Sequence, residues 1–251
     1  NDAFNIKHKV AIVTGASTGL GRGMALGLAE AGANIVAVAT RNMSELKKEV
    51  EALGVECLII QADLKTLTPI EDIVSKTVVN FGRVDVLVNN AGIIRREDSI
   101  DFSENNWDDV INVNLKTLFF LSQRVAKEFL KQGNGGKIIN IASMLSYQGG
   151  IRVPSYTASK SAVRGITMTL ANEWAKHGIN VNAIAPGYME TDNTSALRQD
   201  EKRSQEILDR IPANRWGTPN DLKGIVVFLA SSASDYIHGA TIPVDGGWLG
   251  R

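Results

Sequence analysis

The sequence predicts an α/β protein: one doubly wound domain over residues 1–251, with about seven parallel strands in a three-layer αβα arrangement. Three observations carry this expectation. Short apolar runs rich in β-branched residues alternate with helical patterns, which implies parallel strands joined by crossover helices. The runs are almost continuously apolar, as strands covered on both faces must be. A glycine-rich turn follows the first run and opens a helix, at the end of the strand where open α/β sheets bind ligands.

In chain order, the strand candidates are "KVAIVT" (9–14), "NIVAVAT" (34–40), "ECLIIQ" (56–61), "VDVLVN" (84–89), "GKIINIA" (136–142), "INVNAIA" (179–185) and "ATIPV" (240–244). Helical patterns fill most of the gaps. "GRGMALGLAEAGA" follows the first strand and "MSELKKEVEALG" the second. "PIEDIVSKTVVNFG" begins at Pro69, a residue suited to a helix start. "WDDVINVNLKTLFFLSQRVAKEFLKQG" reads as one long helix ending at Gly133, and "SYTASKSAVRGITMTLANEWAKHG" ends the same way at Gly178. Residues 188–218 break the alternation with a long polar excursion directly after a strand end. Such a segment is read as a substrate lid, with an ordinary surface insertion as the alternative.

Bulk properties narrow the function classes. Lys and Arg total 27, as do Asp and Glu, so nothing advertises a nucleic-acid or anionic-membrane partner. No apolar run approaches the ~20 residues of a membrane span, and the N-terminal stretch lacks a signal-peptide pattern. The lone cysteine, Cys57, lies in "VECLII" and reads as a buried small hydrophobe. One cysteine permits no internal disulfide, consistent with a reducing, cytoplasmic setting. His8, His177 and His238 are far apart and form no metal-ligand pattern.

The chemistry-bearing motifs fall at strand ends. "TGASTGLG" places Gly15, Gly19 and Gly21 before a helix N-terminus, whose free N–H groups and partial positive charge suit a pyrophosphate. Asp63, in "ADL", is a candidate for an adenine amino group, or a helix cap. "NNAG" ends the fourth strand with Asn89, Asn90, Ala91 and Gly92. "SYTASK" holds Tyr156 and Lys160 at i and i+4, on one helix face.

Taken together, "TGASTGLG", "NNAG", Asn114 in "NVN", Ser143, "YTASK" and "APG" (185–187) resemble the short-chain dehydrogenase/reductase family over essentially the whole chain. The resemblance implies a Rossmann-type fold, a nicotinamide cofactor, reversible carbonyl/alcohol hydride transfer and a homotetramer. It assigns catalysis to Asn114, Ser143, Tyr156 and Lys160. It assigns cofactor contacts to Gly15, Ser17, Thr18, Gly19, Leu20, Gly21, Thr40, Arg41, Asp63, Leu64, Asn90, Ala91, Gly92, Tyr156, Lys160, Pro186 and Gly187. A tyrosine titrates near pH ~10 in water. An adjacent Lys160 ammonium is expected to lower that value and fit the phenol for proton transfer near neutrality. Ser143 is expected to hold the substrate oxygen, and Asn114 to bend its helix and hold a proton-relaying water.

A closer resemblance, carried by "AGIIRRED" (91–98), "MLSYQGGIRVPSYTASK" (144–160) and "ILDRIPANRWG" (207–217), is to family members acting on deoxy sugar acids of uronate breakdown. They interconvert 2-dehydro-3-deoxy-D-gluconate and 3-deoxy-D-glycero-2,5-hexodiulosonate. An acid substrate calls for a guanidinium, and Arg95, Arg96 and Arg152 are the candidates. Met144, Gln148, Tyr188 and Trp248 are expected to shape the pocket beside Ser143 and Tyr156. Cofactor signals conflict. No acid follows the second strand to take a ribose 2′-hydroxyl, and Arg41 suits a 2′-phosphate, whereas Thr18 replaces the basic residue of many NADP users. NAD is favoured, with NADP as the alternative. An NADPH-dependent 3-oxoacyl-carrier-protein reductase and a non-catalytic nucleotide sensor remain the competing functions.

Overall fold

The computed structural model describes residues 2–251. Its centre is a seven-stranded sheet in the order β3-β2-β1-β4-β5-β6-β7, with every neighbouring pair parallel. The strands are β1 (Val10–Thr14), β2 (Asn34–Ala39), β3 (Cys57–Gln61), β4 (Val86–Asn89), β5 (Gly136–Ile141), β6 (Ile179–Pro186) and β7 (Thr241–Val244). This is the Rossmann-type order, extended by β7.

Alternation along each strand divides the core into two layers. Ala11, Val13, Ile35, Ala37, Val86 and Val88 point to one face. There they meet α1 (Gly19–Glu30), α2 (Ser44–Ala52) and α9 (Lys223–Ala230) through Met24, Leu28, Leu46, Val50, Val226 and Leu229. Val10, Ile12, Val36, Val38 and Leu87 point to the other face. They meet α3 (Ile70–Phe81), α5 (Thr117–Gln132) and α6 (Pro154–Trp174) through Ile73, Val74, Leu121, Val125, Phe129 and Leu170. Each fully buried aliphatic side chain of this kind contributes about 1.5–3 kcal/mol. Cys57 belongs to the first layer, and burial pushes its thiol up to about 11, so it packs as a hydrophobe.

Two elements differ from the sequence expectation. The expected long helix after β4 is broken. α4 (Glu104–Ile111), capped by the Ser103 hydroxyl on Asn106 N, passes through a π-turn at Asn112–Lys116 before α5 begins. A π-turn inserts one residue into the helical ladder, and such turns cluster at functional sites. Secondly, α9 was not anticipated. Its sequence, "KGIVVFLA", is apolar all round and lacks the helical stripe on which pattern reading depends.

The polar excursion folds as α7 (Ser195–Gln199) and α8 (Glu201–Arg210), outside the sheet. Its neck closes on itself. Met189 and Gly217 form a parallel bridge, Gly217 N donates to Tyr188 O, and Glu190 N donates to Gly217 O, both at 2.8 Å.

Candidate active site

The turn after β1 is built around one hydroxyl. Thr14 Oγ1 accepts from Asn90 N at 3.0 Å and Ala91 N at 2.9 Å, and donates to Val88 O at 3.4 Å. The Asn90 amide returns the contact, donating to Thr14 O and Gly15 O at 3.2 and 3.1 Å. Gly15 takes φ +62, a left-handed conformation. At Gly21 a Cβ would lie 2.1 Å from Gly15 O, so only glycine lets the helix start this close to the turn. Thr18 is the exposed N-cap of α1 and makes no side-chain cap bond. The first N–H groups of an α-helix have no acceptor within the helix. Uncapped and approached by glycines, this end fits the pyrophosphate of a dinucleotide. Ser17, Gly19 and Leu20 are half-buried along the same turn.

Other cofactor candidates ring this turn at neighbouring strand ends. Thr40 and Arg41 are exposed beyond β2, with Gln61 Nε2 donating to Thr40 O at 2.7 Å. Asp63 is exposed, and its carboxylate accepts from Lys65 N at 3.0 Å; this closes a turn and not the helix cap that was its alternative reading, since α3 starts only at Ile70. Leu64 is buried, its carbonyl held by the Thr117 hydroxyl at 2.7 Å. Gly92 lies against Asn114, whose Oδ1 would be 3.4 Å from an added Cβ. Pro186 ends β6, and Gly187 packs on Met144, where a Cβ would be 2.4 Å from the methionine methyl.

Facing this crevice are the four residues to which the resemblance assigns catalysis. Ser143, directly after β5, caps a short turn and accepts from Leu145 N at 3.1 Å. Its hydroxyl also acts on the Tyr156 phenol, favouring the ionised form against the effect of burial. One helical turn on, the Lys160 ammonium lies 5.6 Å from the Tyr156 ring centroid and donates to Ile141 O at 2.7 Å. Asn114 lies in the π-turn, where its amide clamps Ile93. Oδ1 accepts from Ile93 N at 2.9 Å, and Nδ2 donates to Ile93 O at 3.0 Å and to Ser159 Oγ at 3.2 Å. Ser159 in turn donates to Tyr156 O at 2.8 Å. A polar chain thus links the helix break to the catalytic tyrosine's own backbone.

Electrostatics here depart from the sequence expectation. Burial raises the Tyr156 phenol above the ordinary tyrosine value, while the Ser143 hydroxyl and the Arg96 charge pull the other way. Lys160 does not lower it in this structure. Its ammonium turns to the Ile141 carbonyl, and burial brings its own pKa down to about 8. For Tyr156, desolvation outweighs the opposing pull of Ser143 and Arg96; for Lys160 it acts alone.

The three candidate arginines are placed differently. Arg95 reaches Asp109 at 3.5 Å and Ile94 O at 3.2 Å. Arg152, at φ +65, binds Asp98 through Nε at 2.7 Å, and its carbonyl accepts from Glu97 N at 3.0 Å. That contact ties it to the loop after β4 and leaves its guanidinium already paired with a carboxylate. Arg96 is exposed, makes no ion pair within the described residues, and is the arginine whose charge reaches Tyr156. Under the excursion, Met144, Ile207, Ile211, Trp216 and Trp248 form a separate apolar cluster. Tyr188 meets Trp216 and Trp248 edge-on at 5.5 and 4.9 Å, and Trp248 Nε1 donates to Gln148 Oε1 at 3.3 Å. Thr14, Ser159 and Trp216 were not singled out in the sequence, although the first two lie inside or beside motifs that were. Among the described residues, no group of three or more His, Cys, Asp or Glu is arranged to hold a metal ion.

Comparison with known proteins agrees with this geometry. Residues 9–202 match the short chain dehydrogenase family. The chain is 66% identical over 250 residues to the 2-dehydro-3-deoxy-D-gluconate 5-dehydrogenase of Dickeya dadantii, covering 100% of this chain and 99% of that protein. The Escherichia coli 2-dehydro-3-deoxy-D-gluconate 5-dehydrogenase is 64% identical over 249 residues, with 99% and 98% covered. A gluconate 5-dehydrogenase from Burkholderia cenocepacia, solved with NADP and tartrate, is 37% identical at a TM-score of 0.94, covering 100% and 98% of the two chains. The chain belongs to the short chain dehydrogenase family and is an NAD(P)-dependent oxidoreductase.

Proposed function

We propose that this oxidoreductase acts on a deoxy sugar acid, interconverting 2-dehydro-3-deoxy-D-gluconate and 3-deoxy-D-glycero-2,5-hexodiulosonate. One observation carries the reading: the Tyr156 ring has the buried Lys160 ammonium 5.6 Å from its centroid, and its phenol lies within the influence of the Ser143 hydroxyl and the unpaired Arg96 charge. That arrangement offers an acid for a carbinol oxygen and a cation for a carboxylate. The named relatives at 64% and 66% identity support the substrate assignment.

NAD(P) supplies or accepts the hydride at the reacting carbon. The chain's own groups manage the proton and the position. Tyr156 gives its phenolic proton to the carbonyl oxygen in reduction and takes it back in oxidation. Its raised pKa keeps it protonated and ready to donate. Ser143 holds the same oxygen and stabilises the negative charge that develops on it. Lys160 holds the Ile141 carbonyl at the end of β5, and with it the approach of the chain to Ser143. Asn114 fixes Ile93 and Ser159, and through Ser159 the start of α6. Arg96 binds the substrate carboxylate, leaving Arg152 to hold the two loops at the mouth together through Asp98.

Residues 188–218 serve this domain as its substrate lid, seated on Met144 through the Trp216–Trp248 cluster. The homotetramer implied by the resemblance is supported by Trp107, Leu130 and Met168, exposed on α4, α5 and α6. Light scattering tests it. No helix among the described residues is long and apolar enough to cross a membrane, in keeping with the cytoplasmic setting expected from the lone cysteine.

Initial rates at 340 nm with a panel of sugar acids and acetoacetyl thioester test the function. Turnover of 2-dehydro-3-deoxy-D-gluconate supports it. Turnover of the thioester alone, with NADPH, refutes the substrate and leaves the proton chemistry standing. Tyr156→Phe is expected to fold normally and lose about 10²–10⁴-fold in kcat; near wild-type turnover removes Tyr156 as the acid.

A further inference from the structure

The excursion carries a cation that the catalytic description leaves unused. Arg198, on α7, is half-buried. Its Nη2 donates to Thr191 O at 3.0 Å and its Nε to Thr194 Oγ1 at 3.3 Å. Both acceptors are neutral. Among the described residues Arg198 makes no ion pair. A guanidinium has five N–H groups in a fork matched to phosphate oxygens, and the remainder of this fork has no acceptor in the described chain. Held in place by two neutral acceptors, the guanidinium keeps these remaining N–H groups free for an anion.

Thr191 shows where that anion would be. A Cβ built on Gly19 would lie 3.6 Å from Thr191 Cγ2, so the first turn of the excursion rests on the residue that opens α1. The α1 N-terminus has neither a side-chain cap nor an acidic residue in its first turn. The nearest basic residue on α1, Arg22, is already paired with Glu49 on α2. A pyrophosphate at this turn would therefore meet backbone N–H groups from below. The cation tied to the residue that touches this turn is Arg198, through its bond to Thr191 O.

We propose that Arg198 is a ligand carried by the lid for the pyrophosphate of the bound dinucleotide. Bound cofactor then ties the first turn of the lid to the glycine-rich loop on which it already rests. The proposal rests on the NAD(P) reading of the chain and not on the identity of the sugar acid. Because Arg198 also holds Thr191 and Thr194, losing its charge and losing its hydrogen bonds must be separated.

Calorimetric titration with ADP-ribose does this without turnover, since ADP-ribose has the pyrophosphate but no nicotinamide. Arg198→Gln is expected to weaken ADP-ribose binding about tenfold, as loss of a charge-assisted contact to phosphate should. Arg198→Lys restores the charge without the paired bonds to the lid turn and is expected to recover most of that affinity. The dependence of Kd on salt should be shallower in the Gln variant, and ADP-ribose should protect residues 188–218 from proteolysis in wild type but not in that variant. An ADP-ribose Kd in Arg198→Gln within about twofold of wild type overturns the proposal, because a phosphate contact of this kind is worth more. So does an Arg198→Lys variant as weak as Arg198→Gln, which would make Arg198 only a staple for Thr191. Unchanged ADP-ribose affinity with a raised KM for the sugar acid also overturns it and moves the cation to the substrate.

Discussion

Lys160→Met should make the protein inactive and, at neutral pH, relieve it of a stability cost. Lys160 is 5% exposed, and the Ile141 carbonyl is its one hydrogen-bond acceptor in the chain. Burial lowers its pKa from 10.5 to about 8. A lysine depressed in this way costs stability below its folded pKa, and the cost is relieved as pH rises from about 8 towards the unfolded value. The full cost is on the order of 3 kcal/mol. Integrated between about pH 7 and pH 10, the difference in stability between variant and wild type should shrink by roughly 2.5 kcal/mol. The lost hydrogen bond offsets part of the variant's gain, by about 1.5–3 kcal/mol while the donor is charged and less once it is neutral. Cys57 and Tyr156, both raised by burial, favour the folded state less above about pH 9 and act equally in the two proteins. The assay is reversible urea unfolding of each protein across this range, read as the difference between the two stability curves. A flat difference, or one growing with pH, refutes the desolvated-ammonium account of Lys160.

Three further outcomes follow from contacts already described. Gly21→Ala drives a methyl to 2.1 Å from Gly15 O and 2.4 Å from Asn90 Nδ2; it should cost more than about 2 kcal/mol by urea titration and weaken ADP-ribose. Arg96→Gln should raise KM for the sugar acid by about tenfold or more. It should also move the Tyr156 limb of the pH–rate profile upward, because the lost charge was lowering that pKa. Arg41→Ala should selectively reduce kcat/KM with NADP if the exposed guanidinium beyond β2 takes the 2′-phosphate, leaving NAD unaffected; equal loss with both cofactors removes Arg41 from selectivity.

Much of this architecture was legible in the sequence because parallel strands buried on both faces leave an unbroken apolar record. All seven runs read as strands lie within a residue or two of β1–β7, and Gly133 and Gly178 take the left-handed φ of +79 and +72 expected after the preceding helices. The catalytic motifs were legible because their chemistry demands particular residue types at short spacing. Other features left no such trace. The π-turn at Asn112–Lys116 changes helical phase without changing composition, so the pattern alone read as one helix and only the resemblance placed a bend at Asn114. The direction of the Tyr156 pKa depends on burial, which spacing alone does not reveal. Arg152 and Arg96 look alike in sequence, and only Asp98, brought over from the neighbouring loop, tells them apart.

Thr14 has a consequence for how the crevice opens. β1 has β2 on one side and β4 on the other, so the segments leaving β1 and β4 part company at this point. Backbone pairing between them ends at Val13 and Val88, and from there two side chains take over: the Thr14 hydroxyl accepts two amides and donates to Val88 O, and the Asn90 amide donates to Thr14 O and Gly15 O. The pair acts as a rivet at the root of a split. Strain applied at the mouth by a bulky ligand meets all of these contacts before it can travel down the seam, so ligands of different length find their room at the outer rim.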